Sequence, residues 1–280
     1  MASSHKYQPA PQRDSFEEQQ QYTQAPPSYP DVPAASRAVL GSYGAQAREE
    51  DDNVPDDFKF GGSVAEASLD IRMQFIRKVY TILTFQILLT TGLSALTFFL
   101  PGYRRWIQAN SLLVWIAIFG TFIFMFLTYW KRKSYPANVL FLAGFTGFEA
   151  YTVSFITSYY DARVVIEALI LTLAIFVFLT LFACQTKYDF TSWTPYLFGA
   201  LWVFVVFGFI YAFFPHNKTT DLLYGLVAAL VFSAYILVDT QLVMRRYHVE
   251  DEIPAAISLY LDVLNLFFAI LRILNSQSNN

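Results

Sequence analysis

From Val79 onward the chain alternates between apolar runs about twenty residues long and short polar breaks. The runs lie at about 79–100, 111–130, 137–157, 164–184, 194–214, 221–244 and 254–274, each close to the ~20 helical residues that cross a hydrocarbon core ~30 Å thick. The breaks carry helix-ending chemistry: Pro101-Gly102, the Lys131-Arg132-Lys133 cluster, Pro195 at a helix start and Pro215 at a helix end. The pattern predicts an all-α integral membrane protein with seven transmembrane helices over residues 71–280. The last run is the most polar, with Ser258, Asp262, Asn265 and Arg272, so a re-entrant element buried among the others stays open for it. Residues 1–70 read differently. The tract from Glu17 to Gln21 and prolines 9, 11, 26, 27, 30, 33 and 55 leave almost no apolar periodicity, which predicts a disordered arm. Near Met1 there is no short apolar stretch with a small-residue cleavage site, so the first span is expected to direct insertion.

Composition sharpens this division. The chain is 55% apolar and 18% aromatic with 15% charged residues, too oily for an ordinary soluble domain. Residues 1–70 hold five Lys/Arg against twelve Asp/Glu, whereas residues 71–280 hold fourteen against ten, so an acidic arm is joined to a basic membrane body. Under a cytosolic N-terminus the inside flanks carry nine basic residues (Arg72, Arg77, Lys78, Lys131, Arg132, Lys133, Lys187, Arg245, Arg246). The outside loops and helix ends carry five (Arg104, Arg105, Arg163, Lys218, Arg272), which favours that orientation. Asn217-Lys218-Thr219, the only Asn-X-Ser/Thr triplet, then falls outside. The single cysteine, Cys184, excludes an intramolecular disulfide and reads as a small buried hydrophobe.

Candidate chemistry lies in the carboxyls placed inside spans, because a membrane carboxyl is costly unless paired, protonated or hydrated. Asp239 stands six residues before Arg245 and Asp262 eight residues after Pro254, hence ~9 and ~12 Å deep at 1.5 Å per residue. Consecutive helices with a short connection pack as antiparallel neighbours, so the two side chains share a depth and are expected to approach. Ser258, Asp262, Asn265 and Arg272 follow helical spacing on one face, and Tyr235 is one turn from Asp239. Two carboxyls in reach of one another repel when both are ionised, so one retains a proton and releases it as pH rises. Fully ionised, the pair attracts a hard cation such as calcium. The alternative is that each aspartate only satisfies a neighbouring helix. Glu149, ~20 Å along its helix from Pro136, belongs with Asp161, Glu167 and Asp221 to the opposite half, either as an acidic vestibule or as ordinary helix-end charge.

The segments around Pro136-Ala137-Asn138, GFTGFEAYTV, YILVDTQLV and AISLYLDVLNLFFAILRIL resemble the transmembrane Bax inhibitor motif, or lifeguard, superfamily, most closely its Golgi anti-apoptotic protein branch. The resemblance covers residues 70–275. It implies seven helices with the last enclosed by the other six, a pH-sensitive calcium leak, protection against cell death, and a two-aspartate sensor that falls on Asp239 and Asp262. It also implies a basic residue at the end of the second span that latches onto a sensor aspartate. Lys131, Arg132 and Lys133 are the candidates, with Arg132 preferred because guanidinium holds a carboxylate bidentately.

These readings leave a leak channel without cofactor, a non-conducting scaffold for death-pathway or calcium-release proteins, and, remotely, an intramembrane aspartyl protease. The Gly-X-Gly-Asp context of such proteases is absent: Leu237-Val238 precede Asp239 and Tyr260-Leu261 precede Asp262. A membrane zinc hydrolase needs histidine ligands, and His5, His216 and His248 all lie outside the spans. No enzymatic constellation is expected. Membrane lipid and calcium are the expected partners, with no nucleic acid. The endoplasmic reticulum is the favoured site, with Golgi and vacuole open. In the arm, Pro26-Pro27-Ser28-Tyr29 forms a Pro-Pro-X-Tyr motif suited to the aromatic groove of a WW domain, such as those on ubiquitin ligases, with Lys6 and Lys59 as acceptors.

Overall fold

The computed structural model describes residues 62–211, 213 and 217–278. Residues 1–61 of the arm, with Pro26, Pro27 and Tyr29, and also Pro215 and His216, lie outside the described residues, whereas residues 62–70, expected to be disordered, pack on the domain with Val64 buried and Leu69 opening α1. The elements are α1 (Leu69–Phe99), α2 (Pro101–Ala109), α3 (Leu112–Trp130), α4 (Ala137–Thr157), α5 (Ala162–Gln185), a 3-10 turn (Phe190–Trp193), α6 (Thr194–Tyr211), α7 (Lys218–Arg245) and α8 (Glu252–Ser278). Among the described residues seven helices, all but α2, are long and apolar enough to cross a membrane. The expected seven-helix architecture is therefore observed, with most helix ends within a few residues of expectation.

The largest shift is at α1, which starts ten residues before the expected 79. Arg72, Arg77 and Lys78 interrupt the apolar run there. The buried residues Ile71, Phe75, Val79, Leu83, Gln86, Thr90, Ser94 and Thr97 nonetheless fall at steps of three and four, so one face continues through the charged stretch. Helix α2 was unforeseen. Its Pro-Gly start suits a helix N-terminus, and it folds against the end of α4. There Arg104 Nε and Gln108 Nε2 donate to Ser158 O at 2.8 and 2.9 Å, and Tyr103 Oη lies 3.2 Å from Ser154 Oγ.

The final helix organises the bundle. Helix α8 is unbroken over 27 residues, ~40 Å long, which leaves no room for a re-entrant turn. It is also the most buried span, with 61% of its apolar window inside the protein against 39% or less elsewhere. Apart from the stripe of Ser258, Asp262, Asn265 and Arg272 its sequence is mostly apolar, as a largely buried helix requires. It packs mainly on α7, α5 and α1, and Phe145 of α4 meets Tyr260 edge-on at 5.9 Å. Helix α6 instead leans on α7 through Phe204 against Tyr224 (4.6 Å) and Phe232 (5.9 Å). Helices α7 and α8 approach closely at Gly225, where a Cβ would sit 2.8 Å from Ile273 Cγ1 and 3.1 Å from Ala269 O.

Two local features refine the sequence reading. Asn217, of the glycan-type triplet, caps α7 by accepting from Thr220 N at 2.8 Å in a reciprocal capping box. Cys184 is exposed rather than buried. An apolar run in a membrane helix marks a lipid-facing position as readily as a core one, and periodicity alone does not separate the two.

Candidate functional site

Helices α7 and α8 run antiparallel through a six-residue connection, residues 246–251, so residues equally far from that turn meet across the pair. Asp239 and Asp262 are brought face to face. Asp262 is buried at 7% exposure, and its Oδ2 has no hydrogen-bond partner. The Ser258 hydroxyl, one turn before Asp262, stands beside the Asp239 carboxyl and donates to Ala255 O at 3.1 Å. Tyr247 Oη lies 3.2 Å from Ser258 Oγ. Burial pushes the Tyr247 hydroxyl above the ordinary tyrosine range, so at neutral pH it remains a donor. Tyr235 from α7 and Tyr129 from α3 complete the surroundings of the two carboxyls. Two neighbouring acids, with hydroxyls around them and, among the described residues, no ion pair to a basic side chain, hold at most one negative charge at modest cost.

The three latch candidates take three different partners. Lys131 Nζ lies over the Trp130 ring at 5.3 Å, Arg132 Nε is 3.5 Å from Asp251 Oδ1, and Lys133 Nζ is 3.2 Å from Glu250 Oε2. Arg132 thus engages the α7–α8 connection next to the carboxyl pair, with Tyr129 interacting with Asp239 as well as with Arg132 and Asp251.

The connection is held from a second side by residues ahead of α1. Val64 N donates to Tyr247 O at 2.9 Å and Ala65 N to Arg245 O at 3.2 Å, forming a short antiparallel bridge between Ser63 and His248. Val64 and Val249 are buried there. Residues 246–251 therefore form a cover beside the carboxyl pair, tied by the backbone bond from Val64 and by three ion pairs, those of Arg132 and Lys133 and that of Arg246 with Asp189 at 3.4 Å, while Ala65 holds the adjoining end of α7. Sequence reasoning passed over Glu250, Asp251 and Tyr247. The signal was the acidic Glu250-Asp251-Glu252 run in a connection otherwise bounded by Arg245 and Arg246.

The structure does not join Glu149 to Glu167. Glu149 lies near Tyr260 and Thr121 inside the bundle, whereas Glu167 is half-buried and paired with Arg163 at 2.8 Å. Around Glu149 runs a buried polar layer that sequence reasoning also missed. Gln86 Nε2 donates to Thr146 Oγ1 at 3.0 Å, and Thr90 Oγ1 lies 2.6 Å from Tyr260 Oη. Of the polar stripe on α8, Asn265 bonds back to Leu261 O at 2.8 Å. At the far end Arg272 reaches Asp221 at 3.9 Å and lies over the Tyr224 ring at 4.6 Å.

Comparison with known proteins bears on this arrangement. The family model described as "Inhibitor of apoptosis-promoting Bax1" matches residues 72–279. The Golgi anti-apoptotic protein of vaccinia virus (strain Lister) is 38% identical over 222 residues, 79% of this chain and 93% of the relative. Protein lifeguard 4 of Mus musculus is 38% identical over 224 residues, 80% of this chain and 94% of that protein. Bax inhibitor 1 of Schizosaccharomyces pombe is 35% identical over 261 residues, 92% and 97% of the two chains.

Proposed function

The chain belongs to the Bax inhibitor (lifeguard) family, and from that premise we propose that it is a pH-regulated calcium leak of an internal membrane that restrains cell death. What supports the reading most is the contact of Asp239 with Asp262 beneath the covering connection. Two carboxylates are far short of the 6–8 oxygens of a resident calcium site, so they suit an ion in passage. At low pH the pair shares a proton and carries one charge. As pH rises that proton leaves, the carboxylates repel, the cover is loosened and the site attracts the cation. The arm and the cover face the cytosol in this reading, since nine of the fourteen flanking basic residues lie on that side.

Calcium flux from loaded liposomes, measured across a pH series on the cover side, tests the proposal. The wild-type leak is expected to rise steeply with pH. Asp239→Asn and Asp262→Asn should each lower calcium permeation and remove most of the pH dependence, and their effects should not add because either abolishes the coupling. Wild-type pH profiles in both variants would make the carboxyls structural. No flux from folded wild-type protein would leave a scaffold that acts by binding other proteins.

A further inference from the structure

Away from the carboxyl pair, toward the opposite end of the bundle, α1, α5 and α8 enclose a cavity of about 480 Å³, within the ~300–1,000 Å³ of typical small-molecule sites. We propose that it holds one acyl chain of a bilayer glycerolipid, whose ester carbonyl accepts a hydrogen bond from Ser94.

The walls define what fits. Ala95 and Phe98 of α1, Leu169 of α5, and Val263 and Phe267 of α8 present alkyl and phenyl surface, and among the described residues no charged side chain lines the space. A charged or strongly polar occupant would lose its hydration there without replacement. The cavity follows α1 from Ile87 to Phe98, ~16 Å of helix, so it is long enough for a chain. Its rim includes Phe99 and Ile166, both exposed on the outer surface of membrane-spanning helices. A lipid tail can therefore enter sideways from the bilayer.

Ser94 supplies the second, independent observation. It is 7% exposed, lines the cavity, and its hydroxyl has no partner. The other buried hydroxyls of the lining are engaged: Thr90 donates to Gln86 O at 2.8 Å and meets Tyr260, and Thr172 donates to Ala168 O at 2.7 Å. An orphaned buried hydroxyl is costly, and a water there would need two to four polar partners. Depth selects the acceptor. Ser94 lies five residues before the end of α1 at Phe99, ~7.5 Å inward. Helix α2, with Tyr103 and Trp106 stacked at 6.4 Å, follows directly, and such aromatics mark the membrane interface. That depth corresponds to the inner edge of the interfacial zone, where glycerolipid ester carbonyls sit. The inference does not depend on ion conduction.

The test uses the full chain in vesicles of diacyl phosphatidylcholine doped with an analogue carrying a photoactivatable diazirine on its acyl chain, with labelled peptides mapped by mass spectrometry. Labelling is expected on the cavity faces of α1 and α8. Filling the space with Ala95→Trp should reduce it at least fivefold while labels on the outer faces persist. Ser94→Ala, which leaves packing intact, should reduce cavity labelling several-fold. Uniform labelling that both variants leave unchanged would show only surrounding lipid and overturn the proposal. A photoactivatable sterol that takes the site in preference would likewise refute the glycerolipid assignment. Ala95→Cys in a Cys184→Ala background checks the remaining alternative. It should resist a membrane-impermeant hydrophilic thiol reagent, and rapid modification would make the cavity an aqueous vestibule and sink the idea.

Discussion

Removing the two ion pairs that tie the cover to the α3–α4 turn, while leaving that of Arg246 with Asp189, should raise the leak without touching the carboxyl pair. The double variant Glu250→Gln, Asp251→Asn keeps side-chain shape and deletes both partners of Lys133 and Arg132, at 3.2 and 3.5 Å. The basic side chains are 44% exposed and their acidic partners only 14% and 11%, so each pair is screened on one side. An exposed pair contributes ~0.2–1 kcal/mol; taking the upper part of that range for two half-shielded pairs gives ~1–2 kcal/mol. If both pairs break when the cover opens, the closed-to-open ratio falls by roughly 5- to 30-fold at ~1.4 kcal/mol per decade. Liposome calcium flux at a pH where the wild type is mostly closed reads this directly. Salt supplies an internal control, because the Debye length shrinks from ~8 Å at 0.15 M to ~3 Å at 1 M. The wild-type leak should rise with symmetrical potassium chloride, and the variant, already lacking the pairs, should change less. The backbone bonds from Val64 and Ala65 remain, so the variant should fold, which its melting temperature checks. A folded double variant whose leak stays within twofold of wild type at both salt concentrations would refute the role of the cover.

Two further outcomes are expected. Tyr260→Phe keeps the ring against Phe145 and removes only the 2.6 Å contact with Thr90; by the average for hydrogen bonds between membrane helices it should cost ~0.6 kcal/mol, seen as a small drop in melting temperature with the pH profile of flux preserved. Tyr29→Ala should abolish pull-down of WW-domain ubiquitin ligases by the arm and slow turnover of the chain in cells, and unchanged binding and turnover would remove the motif from consideration.

The spans were legible because a bilayer enforces length and hydrophobicity on each crossing helix, and little else satisfies both. The approach of Asp239 and Asp262 was legible for a related reason: a six-residue connection makes α7 and α8 antiparallel neighbours, and depth then follows from residue number. What escaped was whatever depends on partners distant in sequence. The start of α1 was masked by Arg72, Arg77 and Lys78, although Ile71 and Phe75 carry its buried face to the end. The resemblance implied that Arg132, Lys131 or Lys133 latches onto a sensor aspartate, whereas Arg132 pairs with Asp251. The side-chain choice between Asp239 and Asp251 is settled by three-dimensional packing that spacing does not encode. Ser63 to Ala65 pair with residues 245–248 across the whole length of the domain, and three residues are too few to give a strand pattern.

The distribution of contacts locates where opening is cheapest. Helices α7 and α8 are bound along their length, by Asp239 with Asp262 near the connection, by the close approach at Gly225, and by Arg272 with Asp221 and Tyr224 at the far end. Helices α3 and α4 are bound to each other in the same way, with Phe148 filling the space over Gly120 and Phe124 that over Gly144. Each pair therefore moves most readily as a unit, since separating its members would open apolar gaps that packing penalises steeply. Between the two pairs near the carboxyls stand the Arg132 and Lys133 ion pairs and the Tyr129 hydroxyl, groups that water and ions can satisfy once parted. Deeper in, Phe145 against Tyr260 keeps the pairs in apolar contact. In the proposed mechanism, ionising both carboxyls acts on this seam, where ~1–2 kcal/mol of ion pairing is comparable with the ~1.4 kcal/mol that one pKa unit represents.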